Sequence, residues 1–324
     1  MNATKHRRSS RPPVAPILTL GDHAYAMIRE QYHRVIKQEK KVLADHNPEH
    51  LHRMRVSTRR LRTALQVFDR AIELPKAAAA KRIGSLARTL GTLRDLDVQM
   101  ADLQNHYRPA INATEQQALD AVIAHLGKHR RAAFSAVEDA LTRSRYRDLK
   151  AAYENWLALP RLTPLAAQPI APLIPDLLSP LLSTLLLHPG WLIQLKDVDA
   201  DSDVLHDLRK ACKHVRYQAE FFLPFHSDAF KDWIEDVKTI QARLGTMHDS
   251  QVLLELLAEL LPKHTVLPEL QAAIAQTQAD ALADWESVRQ RYLDPVFRSH
   301  LHHLLLEPLE TVGILDNVQA QPLN

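Results

Sequence analysis

Apolar residues recur at helical spacing along nearly the whole chain. Met54, Leu61, Leu65 and Phe68 fall on one face of a helix that turns 100° per residue, and Leu208, Val215, Ala219 and Phe222 repeat that pattern later. No run alternates Val, Ile, Thr or aromatic residues between turn signals, so strands find no place. The pattern and its punctuation predict helices at 22–43, 48–74, 75–107, 114–143 and 146–159. Others follow at 176–187, 202–223, 227–262, 268–292 and 294–307. Pro48 suits a first helical turn, and "DHNPEH" and Pro109 mark breaks. The fold class is all-α.

Between the two groups of helices lies "LPRLTPLAAQPIAPLIPD", where prolines remove amide donors and block helix continuation. It divides the chain into a basic tail (1–19), a first helical half (20–159), a linker (160–175), a second helical half (176–309) and a tail (310–324). The halves repeat. "HRMRVSTRRLR" at 52–62 matches "HDLRKACKHVR" at 206–216, and "LGTLRDLDV" at 90–98 matches "LGTMHDSQV" at 244–252, both offset by 154 positions. Two motifs sharing one offset point to a duplicated four-helix unit and to two packed bundles related by a pseudo-twofold.

Composition narrows the class further. With 46% hydrophobic residues in 324, the chain can bury a sizeable core, and 7 glycines suit helices. Cys212 is the sole cysteine, so there is no disulfide framework and a reducing cytoplasm is expected. The short apolar run after the basic N-terminus is broken by Pro16 and makes a poor signal peptide. The most apolar region, 173–195, holds Pro175, Asp176, Pro180, His188 and Pro189, which argues against a membrane span.

Charge is where the chain departs from an ordinary helical protein. The 41 Lys+Arg nearly balance 38 Asp+Glu, yet "LHRMRVSTRRLR" carries five arginines and a histidine with no carboxylate. His52, Arg55, Arg59 and Arg62 form a ladder within roughly 80° of helix surface, beside the apolar face. His206, Arg209, Lys213 and Arg216 repeat it, while Arg53 and Arg60 fall off the ladder onto plain surface. A solvated face is the ordinary account of a charged helix, but such faces usually alternate in sign. Here the like-charged pairs cost about 0.5–1 kcal/mol with no local acid to offset them. Keeping that arrangement twice implies an anionic partner.

Other cations extend the pattern. Arg29, His33, Lys37 and Lys40 share a face of the first helix, Arg88 lies nearly in line on the third, and Arg94 and His248 occupy equivalent places in the two "LGT" segments. The second half lacks the first-helix cations, so an anion should favour the first half. Asp95, Asp97 and Asp249 are expected to orient arginines.

The doubled His-x-x-Arg-x-x-x-Arg/Lys-x-Leu/Val-Arg motif, each copy followed by Leu-Gly-Thr and an Arg/His–Asp pair, resembles the conserved histidine α-helical domain (CHAD) family over roughly residues 20–310. The resemblance implies two four-helix bundles with pseudo-twofold symmetry, whose basic faces form a cleft for inorganic polyphosphate. Such domains occur in bacteria and archaea and can localise to polyphosphate granules, so an association with these granules is expected. Some members are fused to a triphosphate tunnel metalloenzyme domain of the CYTH type; this chain is similar to a stand-alone member. Carried over by motif, the site residues are His52, Arg55, Arg59, Arg62 and Arg94, then His206, Arg209, Lys213 and Arg216. His248 departs from the arginine that the family pattern places there.

Three other readings compete. Nucleic-acid binding uses the same cations, but aromatics are only 6% and are not interleaved with the ladder, and no helix-turn-helix, zinc-finger or RNP signature is present. His46/His50 and His125/His129 have helical ligand spacing, without a third ligand in sequence to complete a metal site. Phosphoryl-transfer catalysis would need a Gly-rich loop or metal-binding carboxylates, and neither is evident. The expectation is therefore a non-enzymatic polyphosphate-binding module, without cofactor or metal, whose partners are polyphosphate or other polyanions rather than a membrane.

Overall fold

The computed structural model of the protein describes residues 18–198, 200–262 and 265–306. Most of the basic tail and the tail at 310–324 lie outside them. The described residues form eleven α-helices and no strand: α1 (Leu20–Leu43), α2 (Pro48–Val67), α3 (Ala80–Asp102), α4 (Ala113–Thr142), α5 (Ser144–Ala158), α6 (Ile174–Leu186), α7 (Ser202–Ala219), α8 (Asp228–Leu260), α9 (Pro268–Leu282), α10 (Trp285–Leu293) and α11 (Pro295–Leu306).

Local chemistry sets these boundaries. Thr19 and Asp22 make a reciprocal capping box at the start of α1, and Asn47 accepts from the Glu49 amide ahead of Pro48. The second helix ends at Val67 rather than Leu74, because Phe68, Ala71 and Ile72 fold back into the core. The seventh ends at Ala219 rather than 223: Pro224 supplies no amide, and the following 3-10 turn buries Phe221, Phe222 and Phe225. The expected helix at 268–292 is two, bent at 283–284 so that Trp285 and Tyr292 stack on Trp191.

The packing order is the same in both halves. Helix α2 lies against α1 and α3, and α3 against α4; likewise α7 lies against α6 and α8, and α8 against α9. The halves do not have separate cores. One cluster runs from α1 and α2 through Phe68 to Phe221, Phe222 and Phe225 of the second half. A second joins Leu119, Val122 and Leu126 of α4 to Leu253 and Leu257 of α8 and Leu270 and Ile274 of α9. Each aliphatic or aromatic side chain buried there stabilises the fold by about 1.5–3 kcal/mol.

A reciprocal cap ties the halves at this second cluster. The Glu115 carboxylate accepts from the Glu269 and Leu270 amides, and the Glu269 carboxylate accepts from the Asn112 amide. Glu115 and Glu269 stand 154 positions apart, the offset of the two sequence motifs. Each acid serves the helix N-terminus of the other half, where a negative charge is favoured.

The Pro-rich segment is a docked strap. Its Gln168 carbonyl accepts from Leu20, its Ile170 amide donates to Leu18, and its Thr163 amide donates to Ala71. A Cβ at Gly21 would stand 2.9 Å from the Ala166 Cβ, so this close approach requires glycine. Residues 171–192 meet a length-and-composition test for crossing a membrane, but they form a 3-10 turn, α6 and another 3-10 turn. Helix α6 buries Ile174, Leu178, Leu182, Leu185 and Leu186 and packs on α7 and α11.

Candidate functional site

The apolar faces decide where the cations stand. Met54, Leu61, Leu65 and Phe68 are buried, as are Leu208, Val215, Ala219 and Phe222. With those faces fixed in the core, the two ladders turn toward each other where α2 meets α7. The Arg59 guanidinium donates to the Tyr217 hydroxyl and lies 4.3 Å over its ring; Arg216 lies at the same distance from that ring. Lys213 sits among Arg59, Arg209 and Arg55. Burial first, then those three guanidiniums, pulls its ammonium down to about 8. Burial also brings Arg59 down to about 10, with Arg55 and Arg216 adding to the effect and Tyr217 opposing it.

Glycines on the next helices seat the arginines. A Cβ at Gly91 would be 3.6 Å from Arg55 Nε, one at Gly84 3.5 Å from Arg62 Nε, and one at Gly245 3.2 Å from Arg209 Nε. The "LGT" glycines are therefore floors on which ladder guanidiniums lie. Arg88 falls on the same row of α3 as Gly84 and Gly91, and is exposed. Arg94 neighbours His52, whose imidazole is lowered by burial and then by Arg94, with Arg55 and Arg59 contributing. His206 and His248 stack with ring centroids 3.9 Å apart.

The carboxylates expected to orient arginines do so unevenly. Asp95 pairs with Arg55 at 3.2 Å, and Asp249 stands 3.9 Å from Arg209. Asp97 instead binds Arg130 at 2.8 Å, together with Asp45, away from the ladder. Arg53 pairs with Glu49 on the surface. Arg60, expected on plain surface, is a correction: it bonds Glu220, which also pairs with Arg216 at 3.3 Å. It lies off the ladder because it turns to the other half, with its guanidinium 5.6 Å from the Phe221 ring.

Among the described residues no carboxylate is within ion-pair distance of Arg59, Arg62, Arg88, Arg94 or Lys213. Buried Nε atoms of Arg59 and Arg209, and buried Nδ1 of His206, have no hydrogen-bond partner. Unsatisfied buried donors of this kind are costly, and an anion would satisfy them. Arg29, His33 and Lys37 are exposed on the side of α1 opposite its buried stripe, with no hydrogen bond or ion pair to α2 or α7 among the described residues. Nor does a cluster of three His, Cys, Asp or Glu occur among the described residues; His125 and His129 lie 4.5 Å apart, ring to ring, without a third such group.

The CHAD domain family profile matches residues 26–258. The chain belongs to the CHAD domain family. This family is linked in general to polyphosphate binding. The CHAD domain crystal structure from the plant Ricinus communis superposes with a TM-score of 0.61 at 27% identity, covering 94% of this chain and 99% of that one. PptA from Streptomyces chartreusis shares the fold, with a TM-score of 0.56 at 17% identity over 85% of this chain and 98% of its own. No curated protein matches the chain by sequence.

Sequence reasoning missed Tyr217, Glu220 and the three glycine seats. The glycines left a signal: Gly91 and Gly245 sit mid-helix at equivalent places, where glycine costs about 1 kcal/mol relative to alanine. Glu220 also left one, as an acid four residues after Arg216. Tyr217 left none, because its role arises where α2 meets α7.

Proposed function

We propose that this CHAD protein binds inorganic polyphosphate in the cleft that α2 and α3 form with α7 and α8. The observation that carries the reading is the convergence of Arg55 and Arg59 with Lys213 and Arg209, cations from both halves, where Arg59 and Lys213 have no ion-paired carboxylate among the described residues. In the free protein these groups repel. A polyanion laid across them removes that repulsion and satisfies the stranded donors. The order of neighbours gives its path: Arg94 and His52, then Arg55 and Arg59, Lys213, Arg209, and last His206 and His248. Successive ladder cations rise about 5 Å along a helix, comparable to neighbouring phosphates.

The chemistry favours phosphate over bases. Guanidiniums bind phosphate bidentately, and a neutral histidine adds a hydrogen bond. Tyr217, the aromatic residue that meets the ladder, is buried and already engaged by Arg59 and Arg216, so it offers little to a nucleobase. We read the two halves as a duplicated unit, and the protein as a binding module without turnover that works in the cytoplasm at polyphosphate granules.

The test is binding of long polyphosphate, duplex DNA and single-stranded RNA of matched charge at about 0.15 M salt. The expected result is tight polyphosphate binding that Arg55→Ala/Arg59→Ala loses, with weak binding of both nucleic acids. Equal binding of all three polymers would establish a general polyanion surface instead.

A further inference from the structure

The two halves of the cleft are unequal. In the first, Arg59, Arg62, Arg88 and Arg94 have no paired carboxylate among the described residues, and Arg55 alone is matched, by Asp95. The equivalent second-half residues are Lys213, Arg216, Ala242, His248 and Arg209. Of these Arg216 is held by Glu220 and Arg209 stands near Asp249, leaving Lys213, itself brought down to about 8 by burial, as the one cation of the set without an ion-paired acid among the described residues. At this end of the path the first half's permanent Arg94 is replaced by a titratable ring, His248, stacked on the ladder's own His206.

We propose that the His206–His248 pair gates the second half of the cleft: the arginines of the first half hold the polyanion throughout, and the second half joins when these two histidines take up protons. This rests on the polyphosphate reading.

The surroundings of the pair hold protons off it in the free protein. Burial leads, and Arg209 and Lys210 hold protons off both rings. Asp207 beside His206, and Asp249 and Glu255 beside His248, act in the opposite sense, but Asp207 is already paired with Lys210. The rings also oppose each other's protonation, since they stand 3.9 Å apart. A phosphate over Arg209 and Lys213 cancels the charge that keeps protons away and itself favours imidazolium. The His206 Nδ1 is buried without a hydrogen-bond partner among the described residues. By linkage, an anion that raises the proton affinity of the pair binds more tightly where the pair is protonated. The gain is full below the pKa of the free rings and is lost as pH rises through the pKa in the complex.

The experiment is titration calorimetry with long-chain polyphosphate, whose titrating ends are negligible, at pH 6 and pH 8 and fixed ionic strength. The expected gain at pH 6 is severalfold, approaching about tenfold for each histidine whose pKa the polyanion raises by one unit as the pH falls below that of the free rings. Buffers of different ionisation enthalpy should report proton uptake, and the slope of log Kd against log salt should steepen by about 1.4 for two added contacts. His248→Arg rebuilds the first-half pattern and should raise the pH 8 affinity toward the pH 6 value, while His206→Gln/His248→Gln should keep only the part of the gain that His52 of the first half supplies. The gate is overturned if the double glutamine variant keeps the full gain, or if His248→Arg leaves the pH 8 affinity unchanged. Wild-type binding that is equal at both pH values, yet lost in Arg55→Ala/Arg59→Ala, also overturns the gate and leaves the polyphosphate reading standing. Absence of binding at either pH would defeat that reading itself.

Discussion

Replacing Glu220 by Gln should weaken the fold and tighten the ligand, two effects of opposite sign from one charge. Glu220 is shared by Arg60 of α2 and Arg216 of α7, and the three side chains are only 16%, 25% and 13% exposed. Removing one partner of a buried ion pair costs about 3–5 kcal/mol. Partial exposure and the hydrogen bonds that Gln retains reduce this to about 2 kcal/mol. For a chain of this size that lowers Tm by about 3 °C. The freed Arg216 then becomes available at the end of the ladder, where one charge-assisted bond to phosphate tightens binding by about tenfold. Saturating polyphosphate stabilises the native state in proportion to ln(1 + [L]/Kd), so at equal polyphosphate the variant should gain about 1.4 kcal/mol more than wild type. The assay is thermal unfolding of both proteins with and without long polyphosphate at about 0.15 M salt. A variant as stable as wild type would refute the burial argument. One that gains no more from polyphosphate than wild type does would refute the claim that Glu220 competes with the anion for Arg216.

Other consequences follow from the same geometry. Gly245→Ala places a Cβ 3.2 Å from Arg209 Nε and should weaken polyphosphate binding several-fold, whereas Gly91→Ala, at 3.6 Å from Arg55 Nε, should be milder; binding isotherms of the two variants check the order. Glu115→Ala strands the Glu269 and Leu270 amides of α9 and should cost about 3 kcal/mol in urea unfolding, since a bond to a charged group contributes about 1.5–3 kcal/mol. Burial among Phe68, Phe222 and Phe225 lowers His23 to about 4, although its Nε2–H donates to the Phe221 carbonyl. The unfolded chain therefore binds a proton first as pH falls, and stability should drop by about 3 kcal/mol between pH 6.5 and 4 and level off below. His23→Phe should flatten that slope in denaturant titrations across this range.

Much of this arrangement is legible in the sequence because helical periodicity couples the core to the ladder. Once Met54, Leu61, Leu65 and Phe68 face inward, Arg55, Arg59 and Arg62 have only one side on which to stand. The repeat extends the same reasoning to Leu208 and Lys213. What the periodicity does not contain is the relation between helices. The bend at 283–284 follows from stacking Trp285 and Tyr292 on Trp191, residues some 90 positions away. The shared Glu220 depends on where α2 crosses α7, which is also why Arg60 reads as surface in sequence and as an ion pair between the halves in space. Arg29, His33 and Lys37 show the converse: a shared helix face is visible in sequence, but which neighbour that face meets is not.

The central claim is that one polyphosphate chain is held by cations of both halves in the cleft and not by basic surface in general. The most direct test compares the affinity of long polyphosphate, at about 0.15 M salt, for three paired variants: Arg55→Ala/Arg59→Ala, Arg209→Ala/Lys213→Ala and Arg29→Ala/Lys37→Ala. Each pair removes the same charge. The expected result is a loss of tenfold or more for either cleft pair and about twofold or less for the α1 pair. Equal losses for all three, or a cleft pair that binds as wild type does, would contradict it.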